Sequence, residues 1–262
     1  SLAKIFKQDK DRLISIGYNN TKRYINIIGI AKGMAKLHES KAFHGNLDPN
    51  NVLLDCYLYP KITDINFLSE DNDNSSAINN DCICYKAPEV LDECEYTQES
   101  DVFSFAFIAY QLITGEKPFD RLTPYQIIQN VQKGNFPKFK KNVNKSLQNL
   151  IEKCWSIDPS DRPTFSEIVE ELEGNKSIII KVENKKEYRN YIKYLDSNSE
   201  ELKPKPSKVY MYSNPYQEEE KEEEEEKVEE EDANEDSQED SETENSDDDD
   251  EEPEAKAEPK TR

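Results

Sequence analysis

The stretch Phe43 to Leu54, FHGNLDPNNVLL, gathers the groups in this sequence best suited to chemistry: a histidine (His44), a carboxylate (Asp48) and the carboxamides of Asn46, Asn50 and Asn51. A carboxamide at position 46 can make a hydrogen bond, but it cannot take up a proton near neutral pH, so it is no general base. The cysteines offer less. Cys56, Cys82, Cys84, Cys94 and Cys154 are odd in number and irregularly placed, which is not the pattern of a disulfide framework. Cys82 and Cys84 lack a second Cys/His pair at zinc-site spacing, so no metal centre is expected there. This usage points to an intracellular, reducing compartment, cytoplasmic or nuclear.

The loop must be held by its neighbours. Between Thr21 and Glu39, Ile25, Ile28, Ala31, Ala35 and His38 recur at helical spacing, with Asn20 or Thr21 as cap. Gly29 and Gly33, four apart, suit close helix packing. After the loop, VLLD and KIT are short strand-like runs separated by a turn-prone CYLYP. Residues 66–84 are polar and read as a loop. Ser100 to Thr114 is apolar nearly all round and stops at Gly115 and Pro118, the pattern of a fully buried helix.

Further helices follow. Thr123 with Pro124 opens one that Gly134 closes, Ser146 can cap LQNLIEKCW, and TFSEIVEELEG ends at a glycine. SIIIKV reads as a strand, and KEYRNYIKYLD as a satellite helix with Tyr188, Tyr191, Ile192 and Leu195 on one face.

Charge divides the chain. Residues 218–262 hold 26 Asp/Glu against 5 Lys/Arg, so of the total charge of −22 only −1 belongs to the remainder. That tail has almost nothing apolar to bury and is expected to stay unfolded. A polyanion repels phosphate, so no nucleic-acid partner is expected, whereas basic proteins are suitable partners. Ser237, Ser241 and Ser246 each precede an acidic residue by three positions, which suits acid-directed phosphorylation. VFSFAFIAYQLI is too short for a membrane span, and no signal peptide is evident.

Several motifs agree on one family. FHGNLDPNNVLL resembles the protein-kinase catalytic loop H-R-D-L-x-x-x-N, KITDIN the strand leading into D-F-G, and Ala87–Pro88–Glu89 the A-P-E motif. SDVFSFAFIAYQLITGEKPF resembles the family's buried central helix, and CWSIDPSDRPTF is similar to an element of tyrosine-kinase-like and tyrosine kinases. The resemblance implies an α+β, protein-kinase-like fold represented by its mostly helical C-lobe with a small β-hairpin. The N-lobe, with its glycine-rich loop and ATP-binding lysine, is expected to be absent, since SLAKIF already resembles the segment past the interlobe hinge. The expected organisation is a kinase C-lobe over 1–174, a strand and helix extension over 175–197, a linker over 198–217 and the acidic tail over 218–262.

Site roles follow from the same resemblance. Asn46 stands where the catalytic aspartate would accept the substrate proton, and Asp48 where serine/threonine kinases place a phosphate-contacting lysine. At about 4 Å and an effective dielectric near 20, each such charge counts for roughly 4 kcal/mol before screening, so an inward Asp48 would oppose transfer. Gly45 replaces the arginine that receives an activation-loop phosphate in many members. Asn51 and Asp64 keep the magnesium-binding residue types. Ile65 and Asn66 replace the rest of D-F-G. His44 is expected to be structural, Glu89 to pair with Arg162, and Asp101 to hold the loop backbone.

The expectation is a catalytically impaired pseudokinase that presents helical surfaces and its tail to protein partners, with ATP and Mg binding weak or lost. Two alternatives stand beside it: a divergent ATP-dependent serine/threonine kinase whose N-lobe lies upstream of Ser1, and a truncated gene product without function. The sequence does not indicate an oligomeric state.

Overall fold

Helix caps set the boundaries of the mostly helical described residues. The computed structural model describes residues 1–65, 83–140 and 143–197. Two short helices, α1 (Leu2–Phe6) and α2 (Lys10–Ser15), precede α3 (Asn20–Glu39). The cap of α3 is Asn19, one residue before the expected position, and its side chain accepts the Lys22 N–H. A hairpin follows, β1 (Val52–Leu54) antiparallel to β2 (Pro60–Ile62), with Val52 opposite Ile62. It is the only sheet among the described residues.

Six helices complete the described chain: α4 (Pro88–Glu93), α5 (Gln98–Thr114), α6 (Pro124–Gln132), α7 (Lys145–Cys154), α8 (Phe165–Gly174) and α9 (Lys185–Ser197). Reciprocal capping boxes start three of them, at Thr97 with Ser100, Thr123 with Gln126, and Thr164 with Glu167. The cap of α7 is Asn144, whose side chain accepts the Leu147 N–H; Ser146 lies inside the helix and its hydroxyl meets that of Ser177.

α5 is the axis of the core, buried without interruption from Ser100 to Leu112. Phe103 and Phe107 on it both meet Phe136, Phe107 also meets Trp155, and Tyr110 meets Phe139 and Trp155. Such offset and edge-on ring contacts add stabilisation beyond the area they bury. Gly33 lets the hairpin close on α3, since a Cβ there would lie 2.8 Å from Ile62 Cδ1. α9 lies on α3 through buried Tyr188 and Tyr191 and a Lys22–Glu187 ion pair at 2.5 Å.

SIIIKV is not a strand. Ile178–Lys181 form a 3₁₀ turn, with Ile178 and Val182 buried and Ile180 exposed. The hydroxyl and N–H of Ser177 both bond Asn175 Oδ1, and the Ile178 N–H bonds Asn175 O, so the backbone is bent before the isoleucines begin. A strand also needs a ladder partner, and β1 and β2 pair with each other.

No helix among the described residues is long and apolar enough to cross a membrane. Asn66, Cys82, the linker over 198–217 and the acidic tail with its three serines lie outside the described residues.

Candidate functional site

Asp101, in the first turn of α5, organises the loop. Its Oδ2 accepts the His44 N–H at 2.6 Å and a bond from His38 Nε2 at 3.0 Å, while Oδ1 accepts the Gly45 N–H at 2.9 Å. The carboxylate is 1% exposed, so these charge-assisted bonds form away from water and fix two consecutive peptide groups. Gly45 has φ of 69°, a conformation that suits glycine, and this is where the family's arginine would stand.

His44 joins the loop to the strand that precedes Asp64. Its Nδ1 accepts the Asn46 N–H at 3.2 Å and its Nε2–H donates to Thr63 O at 2.9 Å, which fixes the neutral tautomer. Burial pushes the imidazole below the ordinary histidine range; Asp101 opposes the shift and Lys86 adds to it. Both ring nitrogens are committed, so His44 has a holding role and no proton to exchange with a ligand.

Asn46 is half-buried. Its carbonyl accepts from Asn51 Nδ2 at 2.7 Å, and its side-chain Oδ1 accepts from Lys86 Nζ at 3.1 Å. The sequence offered no sign of Lys86, whose ammonium also donates to Gly45 O at 3.3 Å. Asp48 is 3% exposed, and its Oδ1 accepts the Asn50 N–H at 2.6 Å, closing an Asx turn within the loop. One oxygen of the expected phosphate-opposing anion is therefore turned onto its own backbone. Asp48 also lies beside Cys84, whose thiol is pushed up to about 12, chiefly by burial.

Asn51 and Asp64 are linked through Thr63, whose hydroxyl lies 3.3 Å from both Asn51 O and Asp64 Oδ2. Asn51 O accepts both the N–H and the hydroxyl of Thr63, the residue before Asp64. Asp64 is exposed and has φ of 57°, a left-handed conformation that aspartate tolerates. Because Asn51 spends its Nδ2 on the loop, its Oδ1 is the end of the amide left to a ligand. Two oxygen donors suit a hard cation that keeps water or phosphate in its remaining positions. Among the described residues no group of three or more His, Cys, Asp or Glu could form an all-protein metal cage.

On the far side of α5, Arg162 uses every donor it has. Nη1 and Nη2 grip the two oxygens of Glu89 at 2.6 and 3.0 Å; the remaining N–H groups reach the carbonyls of Ser156, Glu99 and Ile157. Its side chain is fully buried, with the guanidinium 5.0 Å over the Phe103 ring. This pair ties α4, and the segment before it, to the helical body.

Comparison with known proteins agrees with this geometry. Residues 12–172 match the model of the protein tyrosine and serine/threonine kinase family. Serine/threonine-protein kinases STY17 and STY46 of Arabidopsis thaliana are 37% and 34% identical over 148 and 149 residues, covering 55% and 56% of this chain. Dual specificity protein kinase pyk3 of Dictyostelium discoideum is 33% identical over 167 residues, or 63% of the chain. The chain spans 26%, 26% and 12% of the length of these three relatives.

Proposed function

The chain belongs to the protein tyrosine and serine/threonine kinase family, and from that premise we propose that it is a pseudokinase of tyrosine-kinase-like type, a protein-binding scaffold that does not transfer phosphate. One observation carries the reading: residue 46, where the family places its proton acceptor, is an asparagine whose Oδ1 is engaged by an ammonium. A carboxamide cannot receive the proton that a substrate hydroxyl must lose, and a positioned base contributes typically about 10²–10⁴-fold.

The rest of the loop favours binding over chemistry. Asp101 and His44 hold its backbone, and Asp48 leaves no cation at the position expected to face the phosphate. Asn51 and Asp64 would hold magnesium, which when bound to ATP neutralises phosphate charge. With an aspartate at position 48, where the family places a phosphate-contacting lysine, binding of ATP is weak or lost. The helical surfaces and the acidic tail take protein partners, basic ones for the tail, in the cytoplasm or nucleus, with neither nucleic acid nor membrane involved.

A second reading, a divergent serine/threonine kinase, is favoured by the two oxygen donors at Asn51 and Asp64. The experiment that separates them is transfer of labelled phosphate from ATP by the natural full-length protein. No transfer above background is expected. Robust transfer that disappears in Asp64→Asn would establish the enzyme and overturn the scaffold.

A further inference from the structure

The side chain of Lys86 sits where a substrate would have to come. Residue 46 is the family's acceptor-facing position, and the atom that an incoming hydroxyl would bond, Oδ1, already receives Lys86 Nζ at 3.1 Å. The same ammonium reaches Gly45 O at 3.3 Å and lies 5.4 Å over the Tyr96 ring. It is thus directed by two oxygens of the loop and one aromatic face.

This placement is built into the scaffold. Tyr85, the preceding residue, is buried; its hydroxyl donates to Gln111 Oε1 at 2.6 Å and its carbonyl accepts from Ser104 Oγ at 2.7 Å, both on α5. The following residue, Ala87, is fully buried and leads into α4, which Arg162 grips through Glu89. With the backbone pinned on both sides, the lysine stem has a fixed root and its amine a defined reach.

We propose that Lys86 is an intramolecular occupant of the phosphoacceptor position, latching the catalytic loop to the segment before α4. The inference deepens the silent-site reading and rests on the acceptor role of position 46. A neutral hydroxyl competing for Oδ1 must displace a charge-assisted bond, so acceptors are excluded even before the missing base matters. An aspartate restored at position 46 would form an ion pair with Lys86 and tighten the latch. Returning the base therefore does not by itself reopen the site.

The test is amine acetylation of the full chain, followed residue by residue by mass spectrometry, with exposed Lys133 as internal reference. Expected is slow labelling of Lys86, several-fold faster in Asn46→Ala and slower in Asn46→Asp, with Lys133 unchanged. Equal Lys86 rates in all three proteins would overturn the latch, and should Asn46→Ala fail to fold, the Asn46→Asp comparison decides alone. Phosphate transfer by the unaltered protein would defeat the silent-site reading but would leave this labelling result standing. If Lys86 labels as fast as Lys133 in the unaltered chain, the contact is an adventitious surface bond and the inference fails.

Discussion

The two sides of α5 have been built to different standards. Around Arg162, whose side chain is fully buried, five donors meet five oxygens. At the loop tip, Asn46 and Asp48 also find partners, yet those partners serve the loop itself: an ammonium on the amide, and a backbone N–H on the carboxylate. Charge at the first site fastens distant segments together. At the second, an ammonium and a backbone N–H are spent on the polar groups of a single loop. A fold can keep its architecture while residues of such a loop change, because leaving a buried scaffold charge unpaired is strongly penalised.

Breaking the first side gives the largest effect. Arg162→Met leaves the Glu89 carboxylate and three carbonyls without their donor, and should cost about 3–5 kcal/mol in urea unfolding; a loss under 1 kcal/mol would mean the pair is not load-carrying. Next comes Asp101→Asn, at about 2–3 kcal/mol, because the amide can still accept from one loop N–H but presents its own N–H to the other. If Asp101→Asn is neutral, the loop is held by packing and not by this carboxylate.

The pH dependence lies between the two regions, through His44. Its folded pKa is lowered, chiefly by burial, so the unfolded chain binds the proton more readily. The stabilisation is present above the unfolded value of about 6.5 and is lost as pH falls from there through the lower folded value. One proton should be taken up on unfolding in that window, a slope of at most about 1.4 kcal/mol per pH unit. His44→Gln should flatten this part of the profile. The smallest effect is expected at the tip, where Asn46→Ala removes one bond from a half-exposed side chain at about 0.5–1.5 kcal/mol. A larger loss there than at Arg162 would invert the comparison.

Much of the scaffold was legible because its signals are local. Thr123 and Thr164 stand at helix starts with a bonding partner three residues on, and the unbroken apolar run on α5 could only be interior, although its start at Gln98 with Thr97 as cap lies before the expected Ser100. Gly29 and Gly33 marked the face where α9 and the hairpin approach α3. Other readings failed where two local signals competed. SIIIKV has the composition of a strand, but Asn175 and Ser177 bend the chain ahead of it and bury it at four-residue spacing. Asn144 caps α7 in place of Ser146, with its Oδ1 accepting the Leu147 N–H, so the helix starts two residues earlier than expected.

The sequence alone determined the family, the order of its motifs and the identity of residue 46 as an asparagine, since these depend on residue identity and spacing along the chain. Tertiary structure decided what that asparagine meets. Lys86 lies 40 residues from Asn46, and no capping rule or periodicity reaches that far. It meets the amide only because α5 binds the loop through Asp101 on one flank and Tyr85 through Ser104 and Gln111 on the other. The direction of the Asp48 carboxylate was likewise open until the loop closed on itself, because a single side-chain torsion separates facing a ligand from capping a backbone N–H.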